Sequence, residues 1–296
     1  MAFARVRNFA EMIKFEHTVF ALPFAYMGAF LAKRDFPTGH ELIWITLAMV
    51  GARTAAMALN RLIDRHIDAR NPRTADRHLP RGILSVAEVW VYVVLSWGLL
   101  LVSAWQLNPH NLEVPLTVKL MPIAVFVLTL YSYTKRFTWM CHLILGLSLG
   151  LAPVGSWVGV TGGVQLPAII LGFVVIAWVA GFDIIYACQD YEFDRKEGIH
   201  SIPAVFGLGK ALVFSGLLHV LTVLFLILDG ILLGMGYFYW IGVILAAGIL
   251  IYEHSMVTPT DLSKLDAAFF NMNGILSLML FVFTLADIVL GIRISL

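Results

Sequence analysis

The sequence predicts an all-α, polytopic membrane protein with about nine transmembrane helices in a single domain spanning residues 1–296. Three observations carry that prediction. Of the 296 residues, 60% are hydrophobic and 13% charged, whereas an average soluble domain carries roughly 25% charged residues. The mean hydropathy is +0.86. Apolar runs of about 20 residues, the length that crosses a hydrocarbon core about 30 Å thick, recur from end to end. A transmembrane barrel would need short segments of alternating polarity, and the runs do not alternate.

The first run, Thr18–Ala32, contains Pro23, which removes a backbone donor and is expected to bend the span. Lys14, Glu16 and His17 precede it and either cap a site or mark a helix at the membrane interface. Leu42–Leu59 carries Arg53 inside its apolar stretch and leads into a charged segment that begins at Asn60. Val89–Leu107 and Leu116–Tyr133 follow, and Lys135 and Arg136 lie just past the second. Leu143–Val160 and Leu166–Ala187 are joined by a tight turn marked by Gly162 and Gly163. Ala211–Met235, Phe238–Tyr252 and Ala267–Leu290 complete the set, with Asp229 and Asp287 expected at the membrane interface. The longer loops, Arg65–Ala87 and Glu192–Lys210, are expected to close over the charged segments.

With a cytoplasmic N-terminus, the inner segments hold 15 of the 20 lysines and arginines and the outer segments four. That excess fits the positive-inside rule and puts both long charged loops on the cytoplasmic side. The remaining cation is Arg53, within a span. The expected location is a bacterial inner membrane, with the N-terminus and the mouth of any site in the cytoplasm. No small-residue cleavage site follows the first run, so no signal peptide is expected. A net charge of +1 gives no electrostatic case for nucleic acid. Cys141 and Cys188 are read as buried thiols, and the histidines show no zinc spacing.

The stretch NRLIDRHIDARNPRTADRHLPRG, Asn60 to Gly82, gathers three acids and six arginines after an apolar run. On a helix Asn60, Asp64 and Asp68 fall at i, i+4 and i+8 and form one stripe. DIIYACQDYEFDRKEG closes the sixth run, and its Asp183, Tyr186, Asp190 and Asp194 also share a face. Arg65 and Arg195 each directly follow an acid. Two facing carboxylate stripes repel unless cations sit between them. Their hard oxygen donors suit Mg²⁺, which keeps open positions for phosphate oxygens. Nearby arginine and lysine can take the rest of a phosphate's charge. The constellation is suited to holding a diphosphate at the membrane surface. Asp183 lies within a run, where an ionised side chain costs about 2.5–3.5 kcal/mol, and a functional site is the default reading.

N-R-L-I-D-R-H-I-D with A-R-N-P-R-T-A-D-R-H-L-P-R-G resembles the first aspartate-rich motif of the UbiA superfamily of intramembrane prenyltransferases. D-I-I-Y-A-C-Q-D-Y-E-F-D resembles the second, and Y-S-Y-T-K-R-F-T, Tyr131 to Thr138, resembles the basic motif between spans four and five. Motif order, spacing and helix count agree over nearly the whole chain. The resemblance implies a helical bundle around a central cavity open laterally to lipid, with two Mg²⁺ ions holding a polyprenyl diphosphate between the motifs. By position it implies Asn60, Asp64, Asp68, Asp190 and Asp194 as metal and diphosphate ligands. Lys135, Arg73 and Tyr131 match family positions at the site, and Arg65 is placed with them. Asp183 matches a family aspartate seven residues before the second motif. Two departures are Arg61, where many members have Asp, and Arg77-His78-Leu79-Pro80, where many have Arg-Pro-Leu-Pro.

The activity so implied is Mg²⁺-dependent transfer of a polyprenyl group to an aromatic acid, 4-hydroxybenzoate first and a 1,4-dihydroxynaphthoate second, in quinone biosynthesis. Arg136 and Arg53 compete for the acceptor's carboxylate, and the family match slightly favours Arg136. Arg53 also has a structural reading, as a buried partner of Asp183. An ion-coupled secondary transporter is the alternative from another class, since intramembrane Asp and Arg also serve coupled ions.

Overall fold

Capping signals define where two of the long helices start. In the computed structural model, which describes residues 2–13, 18–265 and 272–291, Thr38 accepts from the Glu41 N–H while the Glu41 side chain accepts from Thr38. Ser85 and Glu88 repeat the same reciprocal box. The helices in order are α1 (Ala2–Met12), α2 (Thr18–Lys33), α3 (Gly39–Asp68), α4 (Val86–Gln106), α5 (Leu116–Thr134), α6 (Cys141–Thr161) and α7 (Leu166–Ala187). A 3₁₀ turn, Cys188–Asp190, links α7 to α8 (Tyr191–Glu197). Then come α9 (Ile202–Phe206), α10 (Leu208–Leu233), α11 (Tyr237–Ser255) and α12 (Asn273–Leu290).

Among the described residues, eight helical stretches are long and apolar enough to cross a membrane, counting Leu166–Glu197 as one. The expected first span is α2, whose 16 residues rise about 24 Å. The start of the expected ninth run lies in residues 266–271, outside the described residues, as do Lys14, Glu16 and His17. Helix α3, at 30 residues, rises about 45 Å and exceeds a core of about 30 Å. Its charged C-terminal end therefore stands at or beyond the membrane surface.

Small residues let the central helices meet closely. A Cβ on Gly28 of α2 would lie 2.3 Å from the Pro153 carbonyl oxygen of α6. One on Gly146 of α6 would lie 2.4 Å from the Ile176 carbonyl oxygen of α7. These contacts seat α6 between α2 and α7, the close approach that van der Waals packing in lipid requires. Phe24, Met27, Trp157, Trp178 and Tyr239 fill the adjoining core. Helix α1 packs on α3 and α4 through Phe9, Met12 and Ile13, with Phe9 stacked on Tyr92 at 3.8 Å.

The far end of the bundle corrects one expectation. Asp229 and Asp287 lie near helix ends, but they are buried within the bundle instead of turned outward. Asp287 accepts from the N–H groups of Gly236 and Tyr239, at 2.7 and 3.1 Å, and so caps the start of α11. Its cost of burial is offset by donors that a helix start leaves unpaired. Cys188 is buried as expected, but Cys141 is half-buried at the start of α6.

Candidate active site

Helices α3, α5, α6 and α7 surround a cavity of about 800 Å³. Its wall is mostly apolar along Ala48, Ala52, Leu128, Leu149 and Ala152, and ionic where α3 and α7 end. Asn60, Asp64, Asp68, Asp183, Asp190 and Asp194 all line it, so the two stripes do share one mouth.

The first stripe is clamped by basic side chains. Asp64, 1% exposed, meets the Lys135 ammonium at 2.6 Å and the Arg136 guanidinium at 2.9 Å, and accepts from the Asn60 amide at 2.9 Å. Lys135 and Arg136 directly follow the end of α5, so the break in that helix puts both beside α3. Asp68 takes both its bonds from Arg77, at 2.7 and 2.8 Å.

The second stripe draws on other segments. Arg73 grips Asp190 through Nε at 2.9 Å and Nη2 at 2.5 Å, while Asn71 adds a third bond at 2.9 Å. Arg73 also reaches the Tyr186 hydroxyl at 3.2 Å and lies over its ring. Burial disfavours the charge on Arg73, but hydrogen bonding and attraction to Asp190 outweigh it and hold its pKa above the ordinary value. Asp194 accepts from the Ser201 hydroxyl at 2.6 Å, and Asp183 from His142 Nδ1 at 2.7 Å. The loop after α3 and the segment after α8 thus both fold back onto the mouth.

Several expected residues have other duties. Arg65 donates to the Leu62 carbonyl at 2.7 Å and does not line the cavity. Arg136 also stays outside the lining, with its guanidinium on Asp64 and on the carbonyls of Ile63 and Ser132. Arg195 is exposed and donates to Tyr191. Arg53 does line the cavity and donates to the Ile13 carbonyl at 3.3 Å. The partner of Asp183 is His142, so the expected Arg53–Asp183 pair gives way to a shorter link between α6 and α7. Tyr131 lines the cavity with its hydroxyl toward the Ala56 carbonyl, at 3.3 Å.

Residue-by-residue reading missed Arg61, Asn71, Arg77, His142 and Ser201, all of which line the cavity. Asn71 and Arg77 sit in the quoted loop motif, so their presence there was a usable signal. His142 and Ser201 carry none, since His142 acquires its partner from another helix and Ser201 reaches Asp194 only through the turn after α8. Among the described residues, no group of three or more His, Cys, Asp or Glu side chains is arranged to hold a metal unaided.

The profile of the UbiA prenyltransferase family matches residues 21–275. The chain belongs to that family. Among its relatives is a 4-hydroxybenzoate octaprenyltransferase of Edwardsiella ictaluri, 32% identical over 249 residues and covering 84% of each chain. Another protein of that name, from Photobacterium profundum, is 27% identical over 92% of this chain and 94% of its own. The apo structure of a UbiA homolog from Aeropyrum pernix K1 aligns with a TM-score of 0.82 and 33% identity, over 92% of this chain and 98% of that one. A UbiA homolog from Archaeoglobus fulgidus, bound to GPP and Mg²⁺, shares the fold with a TM-score of 0.74 and 22% identity, over 95% and 99% of the two chains. This UbiA-family chain is an integral membrane enzyme that transfers prenyl groups, and the transporter alternative falls away.

Proposed function

We propose that the enzyme transfers a polyprenyl group from a polyprenyl diphosphate to 4-hydroxybenzoate, with Mg²⁺, on a route to a quinone. One observation carries the reading: two carboxylate stripes and the basic residues Arg73, Arg77 and Lys135 meet at one end of an otherwise apolar cavity. The names of the curated relatives support the acceptor. The lysine and arginine distribution supports a cytoplasmic mouth and N-terminus in a bacterial inner membrane.

The donor set fits magnesium. Asn60, Asp64, Asp68, Asp190 and Asp194 offer oxygen, the ligand type that hard cations take, and their half-exposed basic partners can move to phosphate oxygens instead. When bound there with the substrate, Mg²⁺ supplies charge neutralisation for the departing diphosphate. Arg73, Arg77 and Lys135 share that work, since each brings a positive charge to the mouth. The bond between the allylic carbon and the diphosphate oxygen breaks, and its electron pair leaves with diphosphate. A ring carbon of the acceptor forms the new carbon–carbon bond, and the ring's proton passes to the Asp183 carboxylate. Arg53 holds the acceptor's carboxylate. The apolar wall keeps water from the carbocation, and the faces of Tyr131 and Phe182 stabilise it.

Mass spectrometry of purified protein given one polyprenyl diphosphate and either 4-hydroxybenzoate or 1,4-dihydroxynaphthoate tests this. The expected product is prenylated hydroxybenzoate, lost in EDTA and regained with Mg²⁺. Full transfer in chelator, or prenylation of the naphthoate alone, overturns the metal or the acceptor respectively.

A further inference from the structure

His142 is the second residue of α6, buried, and on the cavity wall beside Asp183. Its two ring nitrogens have different partners. Nδ1 lies 2.7 Å from Asp183 Oδ2, and Nε2 lies 3.2 Å from the backbone nitrogen of Ile202. A backbone N–H can only donate, so Nε2 is the acceptor and Nδ1 carries the hydrogen given to the carboxylate. The fold thereby favours the tautomer that carries its hydrogen on Nδ1. Asp183 is tied through Oδ2; among the described residues its Oδ1 takes no hydrogen bond, and the side chain keeps 23% of its surface accessible.

The segment that supplies the Ile202 N–H also touches the diphosphate end at three points. The Ile199 N–H donates to the Asp194 carbonyl at 2.8 Å, and the Ser201 hydroxyl donates to the Asp194 carboxylate at 2.6 Å. The His200 N–H donates to the Lys135 carbonyl at 2.8 Å, and the Lys135 ammonium lies on Asp64. Residues 199–202 thus form a short bridge from Asp64 and Asp194 to Asp183, and His142 is its last link. A displacement of Asp194 or Lys135 on ligand binding moves the N–H that orients the imidazole.

We propose that His142 is a positioning residue that aims Asp183 at the acceptor and couples it to the diphosphate end, so that prenyl diphosphate tightens acceptor binding. The inference rests on the acceptor reading above. Coupling of this kind is reciprocal, so the acceptor also tightens the diphosphate.

The test measures 4-hydroxybenzoate affinity for the purified protein with and without a non-reactive prenyl thiodiphosphate and Mg²⁺, beside steady-state kinetics. The wild type binds acceptor more tightly when the analogue is present. His142→Phe loses this enhancement, and its kcat/KM for acceptor falls about 10- to 150-fold, the loss expected for one hydrogen bond to a charge. Its affinity for the analogue measured without acceptor stays within about twofold, a change too small for a lost hydrogen bond to a charge. His142→Gln, which offers one donor and one acceptor, restores both quantities. Ser201→Ala keeps the His142–Asp183 bond but cuts the Asp194 arm, and it loses the enhancement while keeping acceptor affinity in the absence of analogue. Coupling that survives in both His142→Phe and Ser201→Ala, or is missing from the wild type, overturns the proposal. If His142→Phe does not fold, the Gln and Ser201→Ala arms decide alone. A wild type that makes no prenylated hydroxybenzoate instead refutes the acceptor reading.

Discussion

The two acidic stripes share a mouth but are built differently. Asn60, Asp64 and Asp68 stand on the uninterrupted end of α3, and Asp64 and Asp68 are buried among Lys135, Arg136 and Arg77. Asp190 ends a 3₁₀ turn and Asp194 lies in the first turn of α8, with Asp190 half-buried and Asp194 held by a neutral hydroxyl. Short 3₁₀ pieces inside helices often mark hinges. The first stripe is a rigid wall with its charge compensated in place. The second is the more adjustable wall, interrupted by the 3₁₀ turn and held by Arg73, Asn71 and Ser201.

That contrast orders the expected effects of mutation. Asp64→Asn is the largest: it abolishes measurable turnover and also costs about 3–5 kcal/mol of stability, because two partly buried cations lose their partner. Product assays and thermal unfolding in the same detergent check both. Asp190→Asn removes activity about as thoroughly, but Asp190 is more exposed than Asp64, at 16% against 2%, and has one charged partner where Asp64 has two, so the stability loss stays near ~1 kcal/mol. Equal destabilisation by the two changes would break the comparison.

Smaller effects sharpen it. Arg53→Ala raises the acceptor KM about 10- to 150-fold, the value of one lost charge-assisted bond of roughly 1.5–3 kcal/mol, with little change for prenyl diphosphate. Arg136→Ala lowers kcat and stability without acceptor selectivity, because its guanidinium serves Asp64. An acceptor-selective Arg136→Ala in steady-state kinetics would return the carboxylate site to Arg136. Glu192→Gln is the smallest. Glu192 is exposed and does not line the cavity, so turnover changes by less than about twofold, the range of a surface substitution.

Arg136 and Arg53 show where local reading stops. Both are basic residues at a suitable depth by sequence, and the family match slightly favours Arg136. The end of α5 turns Arg136 toward Asp64 and two carbonyls, so its guanidinium faces the first stripe, whereas Arg53 lines the cavity. Asp229 and Asp287 illustrate the same limit at the far end, where position in a hydropathy pattern says nothing of which helix start lies next to a carboxylate.

The sequence by itself determined the spans, the two stripes and their common side of the membrane. Each of these follows from periodicity along one chain segment: about 20 apolar residues per crossing, or every fourth residue on one helix face. Only the tertiary structure decided which cation each carboxylate meets, that His142 rather than Arg53 holds Asp183, and that residues 199–202 bridge the two ends of the site. Most of those pairings join different segments, such as α5 with α3 and α6 with α7, and the α6–α7 approach rests on the close contact at Gly146. No pattern within a single segment encodes that distance.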